Sequence, residues 1–399
     1  MNNKDLTTTE DIEQLGLTNA EYEKVCTILG RTPEKLELEL FSILWSEHAS
    51  YKNSRRWLET LPKKGPHVLV EAGRESAGVV DIGDGEVAVF KIESHNHPCA
   101  VQPRLGASTG LRVVNRDIFS MGARPVALLN SLRFGNSDRD TARWLFDEVV
   151  NGIADFEKGF GIPVIGGEVF FGDSFNTNPI VNTMSIGVTQ KDHLISAAAK
   201  GEGNLVAVVG VPTGKDGVDG QSFVPDMISD NGTKSISLDQ MRDIGSEKRL
   251  YKVLQKLIDE RLVVGVQTVG AQGIVGALTE MATRGSSGID FNVEEVPLRE
   301  KDMTVREILV SETWGRMMIC FDPGNEEKIR QFVSDGELSM GIIGKVNNSE
   351  YLRCFSNSNP VVEFPVKYLG LGELAPVYER EVASDRPLPD PINIEDVAE

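Results

Sequence analysis

The sequence predicts an α/β plus α+β fold in two successive units, on three observations. Helical and strand-like stretches alternate along the chain, the pattern of helices layered on sheets. At 399 residues, and with roughly 150 residues per domain, two or three domains are expected. A break rich in glycine and charge, AKGEGN, is followed by a fresh apolar strand, LVAVVG, which opens the second unit.

The elements follow in order. Thr18 with Glu21 three residues on forms a capping box that starts a helix, and Gly30 stops it. Thr32 and Pro33 are expected as N-cap and first residue of the next helix, whose apolar face runs Leu36, Leu40, Phe41, Leu44 and Trp45. One further turn would carry His48, Tyr51 and Lys52 on that face. PKKGP closes this helical arm, residues 1–64. The stretch VAVFKIE alternates as a strand, with Val87, Val89, Lys91 and Glu93 on one side and Ala88, Phe90 and Ile92 on the opposite, buried side. A glycine-rich segment then leads through a helix to the strand VALLNSLRF. A long helix from TARWLF, the short strand PVIGG and a strand near 181–189 complete a first domain over 65–200. A second domain, 201–375, holds helices near 245–261, 273–284 and 325–334, with strands near 288–293, 316–321 and 339–346. Residues 376–399, proline-rich and acidic, read as a solvated tail.

The charge balance is 41 basic against 60 acidic residues, a net −19. That excludes binding to nucleic acid or to an anionic membrane over the general surface, so an anionic substrate needs a local basic or metal-lined pocket. Four scattered cysteines without a CxxC indicate neither a disulfide framework nor a zinc site. A polar, acidic start and no apolar run of roughly 18 residues lead to a cytoplasmic expectation.

Of only five histidines, three fall in WSEHASY (His48) and SHNHP (His95, His97). As metal ligands HxH is weak, because no third soft ligand stands at useful spacing. The strand face is more informative. Lys91 suits phosphate oxygens, Glu93 beside it suits Mg²⁺, and Asp117 offers a second hard carboxylate. Arg116 supplies a planar fork for phosphate or carboxylate. The same four side chains also read as ion pairs on a solvated face. Glycine-rich loops at 106–110, 166–167, 214–220 and 270–273 suit either phosphate-facing amides or tight turns.

The strings WSEHASYKNSRRWL, FKIESHNHPCAVQP, RDIFSMGARPVALLNSLRFG, GIPVIGGEV, VPLRE and SETWGRM carry a resemblance. The chain resembles the phosphoribosylformylglycinamidine synthases over about residues 30–380, the N-terminal half of that family's synthetase. The resemblance implies a unit like aminoimidazole ribonucleotide synthetase, whose strands join those of a second such unit in a β-barrel. It implies that ATP phosphorylates the formyl amide oxygen of formylglycinamide ribonucleotide, and that ammonia then displaces phosphate to give the amidine. By matching motif, His48 would be a catalytic histidine and His95 a proton acceptor. Tyr51 and Lys91 would contact ATP, Glu93 and Asp117 would hold Mg²⁺, and Ser94, His95, Asn96, His97, Arg116, Gln267 and Glu312 would face the substrate. ATP and Mg²⁺ are the implied cofactors, a separate glutaminase the ammonia source, and a homodimer or a separate second-half chain the partner.

Several motifs diverge. Ala49 stands for the cysteine of WSEHC and Gln102 for an acidic residue. Arg112 and Val113 stand for two glycines, Thr268 for an aspartate after Gln267, and Trp314 and Gly315 for glutamine and glutamate. The alternative function is therefore a diverged relative that keeps the fold and binds a nucleotide or a partner protein.

Overall fold

A computed structural model describes residues 9–176, 178–218 and 244–381. The expected tail lies outside the described residues from 382 onward. Five short helices form the N-terminal arm: α1 (Thr9–Gln14), α2 (Asn19–Leu29), α3 (Lys35–Leu44), α4 (Glu47–Ser50) and α5 (Arg55–Leu58). The capping box at Thr18 and Glu21 forms, and Gly30 ends α2 in the left-handed conformation at φ 67°. The next helix differs from expectation. Glu34, not Thr32, is its N-cap, because Glu34 and Glu37 make their own capping box and Arg31 forks onto the Glu37 carboxylate at 2.7 Å. The apolar face of α3 packs as read: Phe41 meets Trp45 edge-on at 4.9 Å and Phe364 at 4.6 Å. That helix stops at Leu44, however, so His48 and Tyr51 do not continue it.

Lys52 ties the arm together, its ammonium 2.7 Å from the buried Glu21 carboxylate. Burial pushes the Glu21 carboxyl up, yet hydrogen bonds from Lys52, the Thr18 N–H and Tyr378 outweigh it and leave the group below the usual glutamate range. A carboxylate depressed on folding stabilises fully above its unfolded pKa and loses that contribution as pH falls through the lowered value. Urea midpoints measured from neutral pH to roughly pH 3 should therefore fall in the wild type. Glu21→Gln should cost about 1–3 kcal/mol at neutral pH and flatten the dependence. Parallel wild-type and variant profiles would remove Glu21 as the acid-sensitive anchor.

The first sheet contains β1 (Val68–Val70), β2 (Gly78–Gly83), β3 (Glu86–Ser94), β4 (Arg124–Phe134), β5 (Val164–Phe171) and β6 (Ile180–Gln190), in the order β1-β2-β3-β6-β4-β5. Only β4 and β5 run parallel. Three helices, α6 (Asn96–Val101), α7 (Pro103–Ser120) and α8 (Asp140–Phe160), are covered on the sheet side by Val87, Val89, Leu128, Leu132 and Thr183. The contact between α7 and α8 is close: a Cβ on Gly152 would lie 2.1 Å from the Arg104 carbonyl oxygen. The expected burial of β3 is reversed. Val87 and Val89 are wholly buried, whereas Ile92 is 59% exposed. Both sides of the strand are apolar, so alternation alone did not reveal which one the helices cover. The open side carries Phe90 and Ile92 beside Ile186 and Met184 of β6. With β1 and β5 as its edges, this sheet does not close into a barrel within the chain.

The second sheet contains β7 (Leu205–Gly210), β8 (Gly265–Thr268), β9 (Gly288–Asn292), β10 (Arg316–Phe321), β11 (Ser339–Asn347), β12 (Tyr351–Ser356) and β13 (Asn359–Pro365), in the order β13-β12-β9-β11-β7-β10-β8. It is antiparallel except for β9 and β12. Its helices are α9 (Ile244–Asp259), α10 (Gly273–Gly285), α11 (Val305–Val310) and α12 (Glu326–Asp335). Both faces are buried, which explains its continuously apolar strands. Val206, Val208, Met318 and Cys320 share a core with α10, α11 and the N-terminal arm. Ala207, Val209, Met317 and Ile319 face α9 and α12. Among the described residues no helix is long and apolar enough to cross a membrane.

Candidate active site

Strand alternation sends Lys91 and Glu93 to the helix-covered side of β3, where α7 delivers Asp117. Lys91 Nζ lies 3.1 Å from Glu93 Oε1 and 3.3 Å from Asp117 Oδ2. Burial opposes the Lys91 charge, but Asp117 and Glu93 outweigh it and raise the ammonium pKa. Burial raises the Asp117 carboxyl, against the pull of Lys91 and Arg116. Tyr51 belongs to this neighbourhood: burial raises its phenol, Lys91 lowers it, and Glu93, Glu280 and Asp117 raise it further. Its backbone sits in the left-handed region at φ 54°. Glu47 holds that turn by accepting from the Asn53 N–H and side-chain amide, both at 2.7 Å, and from the Ser54 hydroxyl at 2.5 Å. His48 lies exposed on α4.

The SHNHP turn packs onto the glycine-rich start of α7. His95 Nδ1 lies 2.6 Å from the Gly106 carbonyl oxygen, a contact that requires the proton on Nδ1 and places the imidazole lone pair on Nε2. Burial lowers the His95 pKa, so the ring is neutral near pH 7. Gly106 and Gly110 permit this packing: a Cβ at the first would lie 2.6 Å from the Cys99 nitrogen, and at the second 3.0 Å from His95 Cβ. Ser94 turns to the open side of the sheet and bonds Asn182, while Asn96 accepts from the Val181 N–H at 2.9 Å. His97 Nε2 is buried without a hydrogen-bond partner.

The second sheet supplies the other wall. SETWGRM wraps around the buried Arg316, whose guanidinium donates to the Thr313 and Ser311 carbonyls and to the Thr213 hydroxyl at 2.9, 2.6 and 2.8 Å. Burial lowers the Arg316 pKa to about 9. This fold brings the Trp314 ring to 4.5 Å from the Arg116 guanidinium across the seam between the sheets. The Glu312 side chain lies against Gly217, where a Cβ would come within 2.7 Å of it. Gln267 accepts from Ser76 at 3.2 Å and donates to Glu280 at 2.7 Å.

Two family profiles match this two-sheet body: the AIR synthase related protein N-terminal domain over residues 74–189 and its C-terminal domain over 201–356. Together they span more than half of the chain. The chain belongs to the AIR synthase related family. A formylglycinamide ribonucleotide amidotransferase linker domain matches residues 6–52, within the helical arm. The phosphoribosylformylglycinamidine synthase subunit PurL of Chlorobaculum tepidum is 44% identical over 380 residues, 94% of this chain and 50% of that one. The chain thus spans about half the length of the curated relatives it matches. Thermotoga maritima PurL complexed with ATP superposes with a TM-score of 0.77 at 31% identity, over 93% of this chain and 58% of that one. Its complex with FGAR gives 0.77 at 32% identity, over 94% and 59%. PurLQS from the same organism gives 0.77 at 32% identity, over 92% and 57%.

Within this AIR synthase related chain, each of the four loops has at least one glycine that serves close packing, whereas a Cβ on Gly270 would meet open space. A Cβ on Gly167 would lie 2.2 Å from the Asn130 carbonyl oxygen, and one on Gly273 2.3 Å from that of Leu309. Residues 219 and 220 of the third loop lie outside the described residues. Sequence reading missed Glu280, which joins Gln267 to Arg284 and lies close enough to Tyr51 to act on its phenol. Its only local signal was the Glu280–Arg284 pairing one helical turn apart. Among the described residues, no three of His, Cys, Asp or Glu converge as a ready-made metal nest. Glu93 and Asp117 are a two-carboxylate donor set. That fits Mg²⁺, which takes one or two carboxylates and completes its shell with phosphate oxygens and water.

Proposed function

We propose that this chain provides the synthetase half of an ATP-dependent amidine-forming ligase of purine biosynthesis. The reaction takes formylglycinamide ribonucleotide, ATP and ammonia to formylglycinamidine ribonucleotide, ADP and phosphate. The convergence of Lys91, Glu93 and Asp117 within 3.3 Å carries this reading. Lys91 neutralises phosphate charge and Tyr51 flanks the nucleotide. Glu93 and Asp117 would hold Mg²⁺, which supplies charge neutralisation on the transferring phosphoryl group. His95, neutral with its lone pair on Nε2, accepts the proton that attacking ammonia must lose. His48 is assigned a catalytic role from its motif. Ser94, Asn96, His97, Arg116, Gln267 and Glu312 are assigned to the substrate from their motifs, Ser94 from the open side of the sheet.

The ATP and FGAR complexes of T. maritima PurL support these ligand classes, and its PurLQS assembly supports companion subunits. A separate glutaminase would then supply ammonia, in the cytoplasm. The arm over 1–64, the nucleotide domain over 65–200 and the α+β domain over 201–375 act as one unit. The open side of the first sheet pairs with a second copy, or with a separate second-half chain, to form the shared barrel.

A second reading, a diverged relative that binds nucleotide without this turnover, is favoured by Trp314 lying on the substrate-facing arginine. Calorimetry with ATP and Mg²⁺, followed by turnover with formylglycinamide ribonucleotide and ammonia, separates the two. Binding with turnover supports the ligase, binding alone supports the second reading, and absence of ATP binding sinks both.

A further inference from the structure

Helix α7 carries Arg112 and Arg116 one turn apart, and both are buried, 1% and 4% exposed. Arg112 Nε and Nη2, and Arg116 Nε, have no hydrogen-bond acceptor. A guanidinium offers five donors and keeps its charge, so unmatched buried donors are costly to leave unmade. Arg112 faces Glu247 of α9, its Nε 3.4 Å from Oε2 in an ion pair that leaves the Nε hydrogen bond unmade. The other oxygen, Oε1, accepts the Tyr251 hydroxyl at 2.5 Å. Both arginines act electrostatically on the Tyr251 phenol, opposing the rise that burial imposes, so their charges gather around one side chain. Trp314 covers Arg116, whose Nη1 donates to the Val269 carbonyl at 3.3 Å while Nε stays unmatched.

We propose that Arg112 and Arg116 form an anion subsite at the seam between the two sheets, built for the dianion of a phosphate monoester. Two forked cations on one helix face match a tetrahedral dianion in charge and in donor geometry. Glu247 is the built-in competitor: its single charge holds Arg112 when no ligand is bound and gives way to a doubly charged one. The subsite rests on the ligase reading for the source of its phosphate, nucleotide or phosphorylated substrate. Arg116 is shared with that reading, and Arg112 is added to it by the structure.

The test is calorimetric titration of the full chain with inorganic phosphate, with and without saturating ATP and Mg²⁺. Arg112→Met should weaken phosphate binding about tenfold, and Glu247→Gln should strengthen it several-fold by removing the competing charge. Arg112→Lys, which keeps the charge and loses the fork, should fall between wild type and Arg112→Met. A merely structural pair predicts lower stability in each variant and unchanged phosphate affinity, and that result overturns the subsite. If Arg112→Met does not fold, the direction of the Glu247→Gln effect decides alone. Displacement of phosphate by ATP assigns the subsite to the nucleotide, and simultaneous binding assigns it to the substrate. A wild type that binds ATP but no phosphate overturns the subsite and leaves the ligase reading standing. Phosphate binding through Arg112 without ATP binding does the reverse.

Discussion

Lys91→Ala is expected to reduce ATP–Mg²⁺ affinity at least about a hundredfold, through loss of a charge-assisted phosphate contact in a partly desolvated site. From sequence alone the opposite side of β3 reads as the buried one, and the fold would then hardly notice the change. The structure reverses that expectation. Lys91 shares the covered side with Val87 and Val89 and is the ammonium between Glu93 and Asp117. Its removal leaves two neighbouring carboxylates, one of them buried, so a destabilisation of about 2–3 kcal/mol should accompany the binding loss. The pH dependence identifies the cause. Burial already raises the Asp117 carboxyl in the folded state. A raised carboxyl binds extra protons on folding, so stability falls as pH climbs from the unfolded value through the folded one. Without Lys91 that window widens upward, and the gap between variant and wild type should narrow on acidification. Urea titrations near pH 5 and pH 7 measure it. Wild-type ATP affinity in the variant would reduce the constellation to an ion pair.

What sequence reading delivered depended on whether a signal was local. The Thr18–Glu21 capping box and the Gly30 stop of α2 are decided within a few residues, and both appear. The start of α3 was misplaced because Thr32-Pro33 is a good local start, whereas the Arg31–Glu37 fork and the Glu34 box favour a later one. The hairpin of β12 and β13 went unread although its loop residues, Asn357 and Ser358, both take positive φ, 49° and 65°, as a two-residue hairpin turn demands. The site divides in the same way. Lys91 and Glu93 are legible from strand period, and Asp117 from its motif. The Arg116–Trp314 stack and the Glu280 link between Gln267 and Arg284 join separate elements, so no local pattern announces them.

The open side of the first sheet carries the last expectation, that the chain self-associates through it. Register places Ile92 opposite Met184 and Phe90 opposite Ile186, with Leu129 beyond Met184 on β4. Ile92 is 59% exposed and Phe170, on the β5 edge, 55%. An exposed apolar patch of this kind, flanked by the polar Ser94–Asn182 and Arg133–Glu168 pairs, is a liability that proteins cover. Two copies about a twofold axis would cover it symmetrically, burying on the order of 2,000 Å² as obligate contacts do. Ile92→Glu would place a carboxylate at the centre of that contact. It should leave the monomer fold intact, because the side chain touches no core of its own chain, while two like charges meet across the axis. Sedimentation at micromolar concentration should give a dimer for wild type and a monomer for Ile92→Glu, with unchanged far-ultraviolet dichroism. A stable wild-type monomer would sink self-association and turn the search to a different chain that covers the same face. A dimer that survives Ile92→Glu would place the contact elsewhere, because a pair of buried like charges without counter-ions cannot persist at the centre of an apolar interface.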